Sequence, residues 1–497
     1  GAEPGRGGLA VTIAASPAAG LAAPTQALID YPWDCLEQRL SRAAARALRL
    51  AHGAALGLTP SPDDAAQIQA ALAAVVDFHT GQDGFAFWPG LEQADLFLTA
   101  YTLLATRQIQ PAGVDIIAPL RGPALDYLER TLKSSRAPKP GQLGRRLAES
   151  LALMVLAEQG RKVRPLVEAA LKRSQGLTPF GLAALMRAAA ASGLDGAADG
   201  LIAQLEASAV VSAQHLHFGA AAPGGLKAVL GSSLRGNAMA LWSLTRLRPQ
   251  HPRLEALAAW VAQALGQEPG LSTQEAVFGL WALAAYVQRP GGGGPSALSV
   301  SLDGRVLAEP AFSGPAQPPQ SINLALDQLT PGHGQELTIS ASEGRGYWTA
   351  RLSHAPAQPP AAPVNAGFGL ARLLRAPDGG PALGDEVECL ITVLAPETRY
   401  HVLVNDPYPA GLEPIGASLG RPVAGMDPPA WDPWLWRELR KDGLVLYAPV
   451  LNPGVYTFRY RLRAVAPGSF VARPATVEEM YAPEVMGGSG AGRLEVR

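Results

Sequence analysis

Cysteine is scarce: Cys35 and Cys389 are the only two in the chain. Two thiols build neither a disulfide framework nor a CxxC-type zinc site, and their scarcity fits an oxidising compartment that avoids stray thiols. Geometry permits a bridge between them, but nothing in the sequence supports one. No sign of charge is in surplus either. Lys and Arg total 41 against 42 Asp and Glu, which argues against a nucleic-acid footprint and against a polybasic membrane patch. No apolar run is long enough to span a bilayer. The opening GAEPGRGG has no initiator methionine and no apolar signal core, so the chain reads as a piece of something longer, with its targeting segment elsewhere. What is abundant is apolar residue, 48% of 497 positions, enough for two or three cored domains.

Three regimes follow along the chain. In the first 26 residues Leu9, Val11 and Ile13 alternate as a strand does. From about 33 to 290, Ala- and Leu-rich segments punctuated by Gly, Pro or Asp predict roughly eleven helices. LTAYTLLA, AMALWSLT and VFGLWALA superpose Tyr101, Trp242 and Trp281, a weak internal repeat with these aromatics in the core. Repeated helix pairs without a charged heptad seam predict an α/α array, and closure into a toroid is favoured over an open solenoid because the terminal helices lack a polar capping face. After RPGGGGPSA at 289–297 the period drops to two: Leu298, Val300 and Leu302 precede the hairpin signal Asp303-Gly304, and Ile322, Leu324, Leu326, Leu337 and Ile339 continue it. The expected domains are a discontinuous β domain over 1–26 and 296–355, a helical domain over 27–290 inserted into it, and a β-sandwich over 363–497. In that sandwich Val387, Cys389, Ile391 and Val393 share one strand face, and Tyr456, Phe458, Tyr460 and Leu462 another, which makes Cys389 a small buried hydrophobe.

Cys35 has a different setting, YPWDCLEQRLSRA. Asp34 and Glu37 have the spacing of an N-cap and its capping-box partner, while Leu36, Leu40, Ala44 and Leu48 run down one helical face. Cys35 therefore opens a helix. Residues three apart on a helix have Cβ atoms about 5–6 Å apart, so the Cys35 sulfur reaches the Gln38 carboxamide. Attack with loss of ammonia joins them in an internal thioester. A nucleophile that later attacks the Gln38 carbonyl expels a thiolate, which a helix N-terminus stabilises and the charge of Asp34 opposes. Such a bond hydrolyses when wet, so it needs a dry site under a lid. A cysteine hydrolase needs a histidine base in space, and neither His52 nor His79 is placed for that by the sequence. Asp83, Glu92 and Asp95 form no metal or acidic-cluster motif of the kind that toroidal cyclases and lyases use, so no metal and no cofactor is expected.

YPWDCLEQRLSR resembles the thioester motif of the α2-macroglobulin and complement superfamily, in particular its bacterial branch. GFAFWPG with DLFLTAYTLLAT at 95–106, STQEAVFGLWALAAY at 272–286 and VEEMYAPEVM at 477–486 resemble the same branch, in the same order. The resemblance implies a multidomain α plus β architecture: an α/α toroid bearing the thioester, inserted in a small CUB-like β domain and followed by a macroglobulin-type β-sandwich. It implies a protease inhibitor of an innate-immunity-like kind and no enzyme, with Cys35 and Gln38 as the reactive pair in an environment of Tyr31, Trp33, Asp34 and Glu37. Proteases would be captured covalently through lysine. It also implies that Tyr481, with Met480 and Met486, locks the thioester, and that the full protein is membrane-anchored in the periplasm or cell envelope, with a peptidoglycan synthase as a partner. The bait region that proteases cut in this family is not in these residues. Two departures qualify the likeness. Asp34 stands where the family has glycine, and GQLGRRLAESLALMVLAEQG at 141–160 lacks the histidine that directs complement members to hydroxyls. Amines are then the expected nucleophiles, with His215 and His217 as candidate helpers. The alternative expectation is a macroglobulin-like scaffold whose thioester is non-functional and which only binds an envelope partner.

Overall fold

The computed structural model describes residues 2–110, 117–134, 137–139, 142–212, 215–219, 229–266, 270–289, 294–315, 317–330, 334–356, 362–376, 379–415 and 433–497. They form two compact units, one of Pro4–Ala355 and one of Gly1–Glu3 with Pro356–Arg497. The helices of the larger unit are α1 (Ala22–Ile29), α2 (Leu36–Leu56), α3 (Asp64–Ala73), α4 (Leu96–Ile109), α5 (Ala118–Ser134), α6 (Leu143–Glu158), α7 (Arg164–Leu171), α8 (Pro179–Ala191), α9 (Asp195–Ala207), α10 (Ser233–Leu247), α11 (Leu254–Gly266) and α12 (Thr273–Gln288). Short, proline-containing α1 lies ahead of the periodic region, and its few apolar positions carry no helical pattern.

Packing sorts these helices into two layers. Helix α2 lies on α4, α4 on α6, α6 on α8, α8 on α10 and α10 on α12, and α12 returns to α2. Among them α4, α8 and α12 are apolar almost all round, as helices enclosed on every side must be, whereas α2 carries Arg39, Arg42, Arg46 and Arg49 along one face. In α8 every residue from Pro179 to Ala189 is buried, whereas the outer α7 buries only Val167 and Ala170. The repeated aromatics meet among the inner helices. The ring centroids of Trp242 and Trp281 are 5.4 Å apart, Tyr101 and Trp281 are 6.4 Å apart, and Phe278 stands edge-on to Trp281 at 5.3 Å.

The strand Ala2–Ala14 pairs antiparallel with Gln320–Ala325, setting Leu9 opposite Leu324 and Val11 opposite Ile322. Tyr347–Pro356 flanks its other edge. A second sheet is built on Ser296–Leu302, which pairs with Arg305–Ala308, Ala311–Phe312 and Leu337–Glu343. Asp303 and Gly304 both take positive φ, 50° and 78°, as the hairpin between the first two of these strands requires. Val11 and Ile13 share a core with Leu298, Val300 and Phe312, so the N-terminal strand and the residues after 294 bury one another's apolar faces across the whole helical segment. The chain between 290 and 293, within the RPGGGG stretch, lies outside the described residues, as do 357–361 of the Pro/Ala-rich connector.

The second unit is a sandwich of a six-stranded and a four-stranded sheet. Val387, Cys389, Ile391 and Val393 are fully buried between them, and Tyr460 and Leu462 face the same core with Tyr456 and Phe458 packed at its margin. Cys389 is more than a small hydrophobe. Its thiol donates to Asp406 Oδ2 at 3.3 Å, and the same buried carboxylate accepts from Tyr460 Oη at 2.6 Å and from Arg372 Nη1 at 2.9 Å. Burial and the Asp406 charge push the Cys389 thiol well above the usual range, which makes it inert. Neither cysteine is in a disulfide.

Candidate functional site

The first turn of α2 is capped one residue later than the sequence pattern predicts. Cys35, extended at φ −64° and ψ 164°, is the N-cap and Gln38 is its N3 partner. The Cys35 side chain faces the backbone N–H of Gln38, and the Cys35 backbone N–H donates to Gln38 Oε1 at 3.3 Å. The Asp34/Glu37 capping box is thus corrected to Cys35/Gln38, and the reason lies in what occupies the two carboxylates. Asp34 pairs with both Arg39 and Arg42, and Arg42 also donates to the carbonyl of Tyr31 at 2.9 Å. Glu37 turns inward, away from the cap.

Glu37 is fully buried. Its carboxylate accepts from Ser41 Oγ at 2.5 Å, Thr273 Oγ1 at 2.7 Å and Gln274 Nε2 at 2.7 Å. Ser41 lies one turn further along α2, while Thr273 and Gln274 open α12, so the charge sits at two helix N-termini. Because Ser41 Oγ donates to Glu37, it accepts from Tyr101 of α4 at 2.5 Å, and the phenol completes a directed chain. Burial first, then the charges of Glu37 and Cys35, hold the Tyr101 phenol far above its ordinary range and keep it protonated. Gln274 passes the network on, accepting from Arg235 Nη1 at 3.2 Å. That guanidinium lies over the rings of Phe180 and Phe97 at 4.3 and 5.1 Å.

A second link holds the turn from the loop side. The N–H of Leu36, with no acceptor inside its own helix, donates to the carbonyl of Phe87 at 3.0 Å. Phe87 lies in GFAFWPG, whose chain is pinned where Asp95 N–H donates to Phe85 O at 2.9 Å and the Asp95 side chain caps α4 through Leu98 N at 2.7 Å. GFAFWPG with the nearby DLFLTAYTLLAT, and the distant STQEAVFGLWALAAY, therefore meet at the mouth of α2.

Cys35, Leu36, Glu37 and Gln38 are all at most 1% exposed, and Trp33 is buried beside them. The outer rim is polar: Arg39, Arg42 and Asp34 keep about a quarter to a third of their side-chain surface, and the Arg39 guanidinium lies 5.8 Å from the Phe78 ring. Two guanidiniums against one carboxylate leave the rim positive, so Asp34 imposes no net negative charge on the Cys35 sulfur. In this dry setting Gln38 Nε2 meets no acceptor among the described residues. A buried amide N–H left unpaired costs about 1–3 kcal/mol, and loss of that nitrogen as ammonia removes the cost. The arrangement can support nucleophilic acyl chemistry: a sulfur at a helix N-terminus, a carboxamide carbon one turn away, and an amide nitrogen with no acceptor among the described residues.

The remaining candidates lie elsewhere. His79 packs edge-on against Phe85, and His52 lines a cleft of about 210 Å³ with Trp242 and Trp281. His215 bonds with Ser212, while His217 stacks on Trp260 at 5.0 Å. Tyr481, Met480 and Met486 belong to the sandwich unit. Met480 is buried and its N–H donates to His401 O at 3.0 Å. The half-buried Tyr481 ring stands edge-on to His401 at 5.2 Å, and His401 takes the left-handed φ of 49° and bonds Tyr447 Oη at 2.9 Å. Among the described residues no group of His, Cys, Asp and Glu is arranged to hold a metal ion, and no helix is long and apolar enough to cross a membrane. Sequence reasoning misses the true partners of Glu37; its one available signal is Thr273-Gln274, at the start of a stretch that carries the family resemblance.

The sandwich defines the class first: residues 371–484 match the bacterial alpha-2-macroglobulin MG10 domain. An alpha-2-macroglobulin homolog from Nostoc sp. is 30% identical over 220 residues, covering 40% of this chain and 11% of that protein. Alpha-2-macroglobulin of Escherichia coli is 25% identical over 507 aligned residues, covering 95% of this chain and 29% of that protein. The crystal structure of native alpha-2-macroglobulin from Escherichia coli, spanning domain MG7 to the C-terminus, superposes with a TM-score of 0.81 at 22% identity over 100% of this chain and 78% of that one. The chain is similar to bacterial alpha-2-macroglobulins, its sandwich to their MG10 domain, and it spans less than a third of the length of these curated relatives.

Proposed function

We propose that this chain is the thioester-bearing part of a protease trap. Cys35 and Gln38 are joined by a thioester, and a lysine amine of a captured protease attacks the Gln38 carbonyl, forms an amide and releases Cys35 as a thiol. The observation that carries this is the mutual capping of Cys35 and Gln38 in a dry first turn that leaves Gln38 Nε2 without a partner. One event per molecule follows, so the chain acts as a trap and not as a turnover enzyme. The positive rim at Arg39 and Arg42 offsets Asp34, which favours a competent bond over the scaffold reading. The six packed inner helices are read as an α/α toroid, and the two sheets sharing Val11 and Val300 as the CUB-like domain around it. Tyr481 is the proposed lock, held by His401 and by Met480 behind it, with Met486 on the neighbouring strand. On the motif resemblance alone, we further propose a whole protein anchored in the periplasm beside a peptidoglycan synthase.

The test is intact mass of freshly purified protein with thiol labelling before and after methylamine. The expected result is a mass lower by one ammonia and one new thiol, at Cys35, released by methylamine. A full mass, with Cys35 labelled from the start in folded protein, overturns the trap and leaves the scaffold.

A further inference from the structure

Glu37 is unassigned by the thioester chemistry itself, because the acyl group and the leaving sulfur belong to its neighbours. Its setting is nonetheless a fully enclosed polar one. It has no exposed surface, and its acceptors are filled from two other positions of the ring: Thr273 and Gln274 at the start of α12, and Ser41, which carries the Tyr101 hydroxyl of α4. The first turn of α2 has further ties besides these. Leu36 N–H to Phe87 O is one, and the Asp34 pairs with Arg39 and Arg42 are internal to the segment.

The geometry points to Glu37 as the positioning residue that keeps the Cys35–Gln38 turn closed against water, and so sets the lifetime of the thioester. This rests on the trap reading. The physical step is local opening: water reaches the acyl carbon in the fraction of molecules whose first turn has lifted from α12 and α4, so hydrolysis scales with that fraction. A carboxylate tied to α12 and α4 holds the turn down. Exchanging it for an amide turns an acceptor into a donor that faces Thr273 Oγ1 or Gln274 Nε2, and the loss of one charge-assisted hydrogen bond multiplies the open fraction about tenfold. Hydrolysis itself balances simply: water adds to the Gln38 carbonyl carbon, the carbon–sulfur bond breaks, and the protons of water end on the new carboxylic acid and the Cys35 thiol.

The experiment uses the full chain with Glu37→Gln, Thr273→Val and, as a control, Glu275→Gln, whose carboxylate caps α12 at Ser272 and makes no bond to Glu37. Two quantities are read: the half-life of the species lighter by one ammonia, and the iodoacetamide labelling rate of Cys35, located by peptide mapping, in chains without the thioester. The expected result is a half-life about tenfold shorter and labelling about tenfold faster for Glu37→Gln, and about threefold for Thr273→Val, which loses one neutral donor. Glu275→Gln, whose amide oxygen still accepts from the Ser272 N–H as a capping-box glutamine does, stays within about twofold of the parent in both. Parent-like values for Glu37→Gln and Thr273→Val, or an equal effect of Glu275→Gln, overturn the inference. If Glu37→Gln does not fold, Thr273→Val decides alone. If the parent chain shows no mass deficit, the trap reading fails, and the labelling rates still decide the role of Glu37.

Discussion

A carboxylate placed at Gln38 tests how dry the site is. Hydrolysis of the proposed thioester would leave glutamate there, and Gln38→Glu in a Cys35→Ala background makes the same group without the chemistry. The new charge enters a position with no exposed surface, next to the buried Glu37 carboxylate. Two carboxylates about 6 Å apart at an effective dielectric of about 20 repel by about 3 kcal/mol, which corresponds to about 2 pKa units, and loss of hydration adds to this. The new carboxyl is therefore held above its unfolded value of about 4.3. Its protonated form is the one the folded state accepts, so the variant matches its Cys35→Ala parent below about pH 4 and loses stability as pH rises from the unfolded to the raised folded value. At neutral pH the deficit is about 3 kcal/mol. Urea midpoints of the two chains at pH 4 and pH 7.5 measure it, and removal of the unpaired Gln38 amide contributes equally at both. A pH-dependent difference below about 0.5 kcal/mol would mean that water screens the position, and the dry-site argument would fall.

In the sandwich, Asp406→Asn strips the charge from a carboxylate that answers Arg372, Tyr460 and Cys389, leaving a nearly buried guanidinium uncompensated. A loss of about 3 kcal/mol and faster labelling of Cys389 near its midpoint are expected in urea titrations; a loss below about 1 kcal/mol counts against a buried ion pair. Asp34→Asn frees Arg39 and Arg42 to favour the departing thiolate and speeds thiol release by methylamine about threefold, and a slower release contradicts the assigned rim charge. Trp281→Ala opens the aromatic cluster it shares with Tyr101, Trp242 and Phe278 and costs about 3–5 kcal/mol by calorimetry or urea, with a near-neutral result excluding a packed core there. Tyr481→Ala is expected to raise the methylamine rate while leaving the melting temperature of the helical unit unchanged; an unaltered rate removes Tyr481 as the lock.

Short-range features are legible in the sequence alone. The spacing of Cys35 and Gln38 is a property of one helical turn, the alternation at Val387 to Val393 a property of one strand, and the superposition of Tyr101, Trp242 and Trp281 a property of the repeat. The first two depend on residues a few positions apart and the third on a short motif that recurs, and the structure keeps each of them. The cap falls one residue later than its pattern predicts, for a non-local reason. Asp34 has the right chemistry for an N-cap, but Arg39 and Arg42 take its carboxylate, while Leu36 N–H finds Phe87 O about fifty positions away and fixes where the helix begins. The plain hydrophobic reading of Cys389 misses Asp406 because strand periodicity reports which face a side chain points to and says nothing of a carboxylate on the other sheet of the sandwich.

By itself, then, the sequence determined the candidate pair Cys35 and Gln38, the helical and β regimes and the likeness to bacterial alpha-2-macroglobulins, since all of these rest on local spacing and ordered motifs. Only the tertiary structure decided what surrounds the pair. Thr273 and Gln274 reach Glu37 across 236 and 237 residues, Tyr101 reaches Ser41 across 60, and α12 returns to α2. A hydrogen bond of that sequence separation is selected by how helices pack, and packing energy is shared over the whole inner layer, so no window of the sequence contains it. The same holds for the unpaired Gln38 nitrogen: an amide is ordinary in a sequence, and becomes a poised leaving group only where the fold removes both water and acceptor.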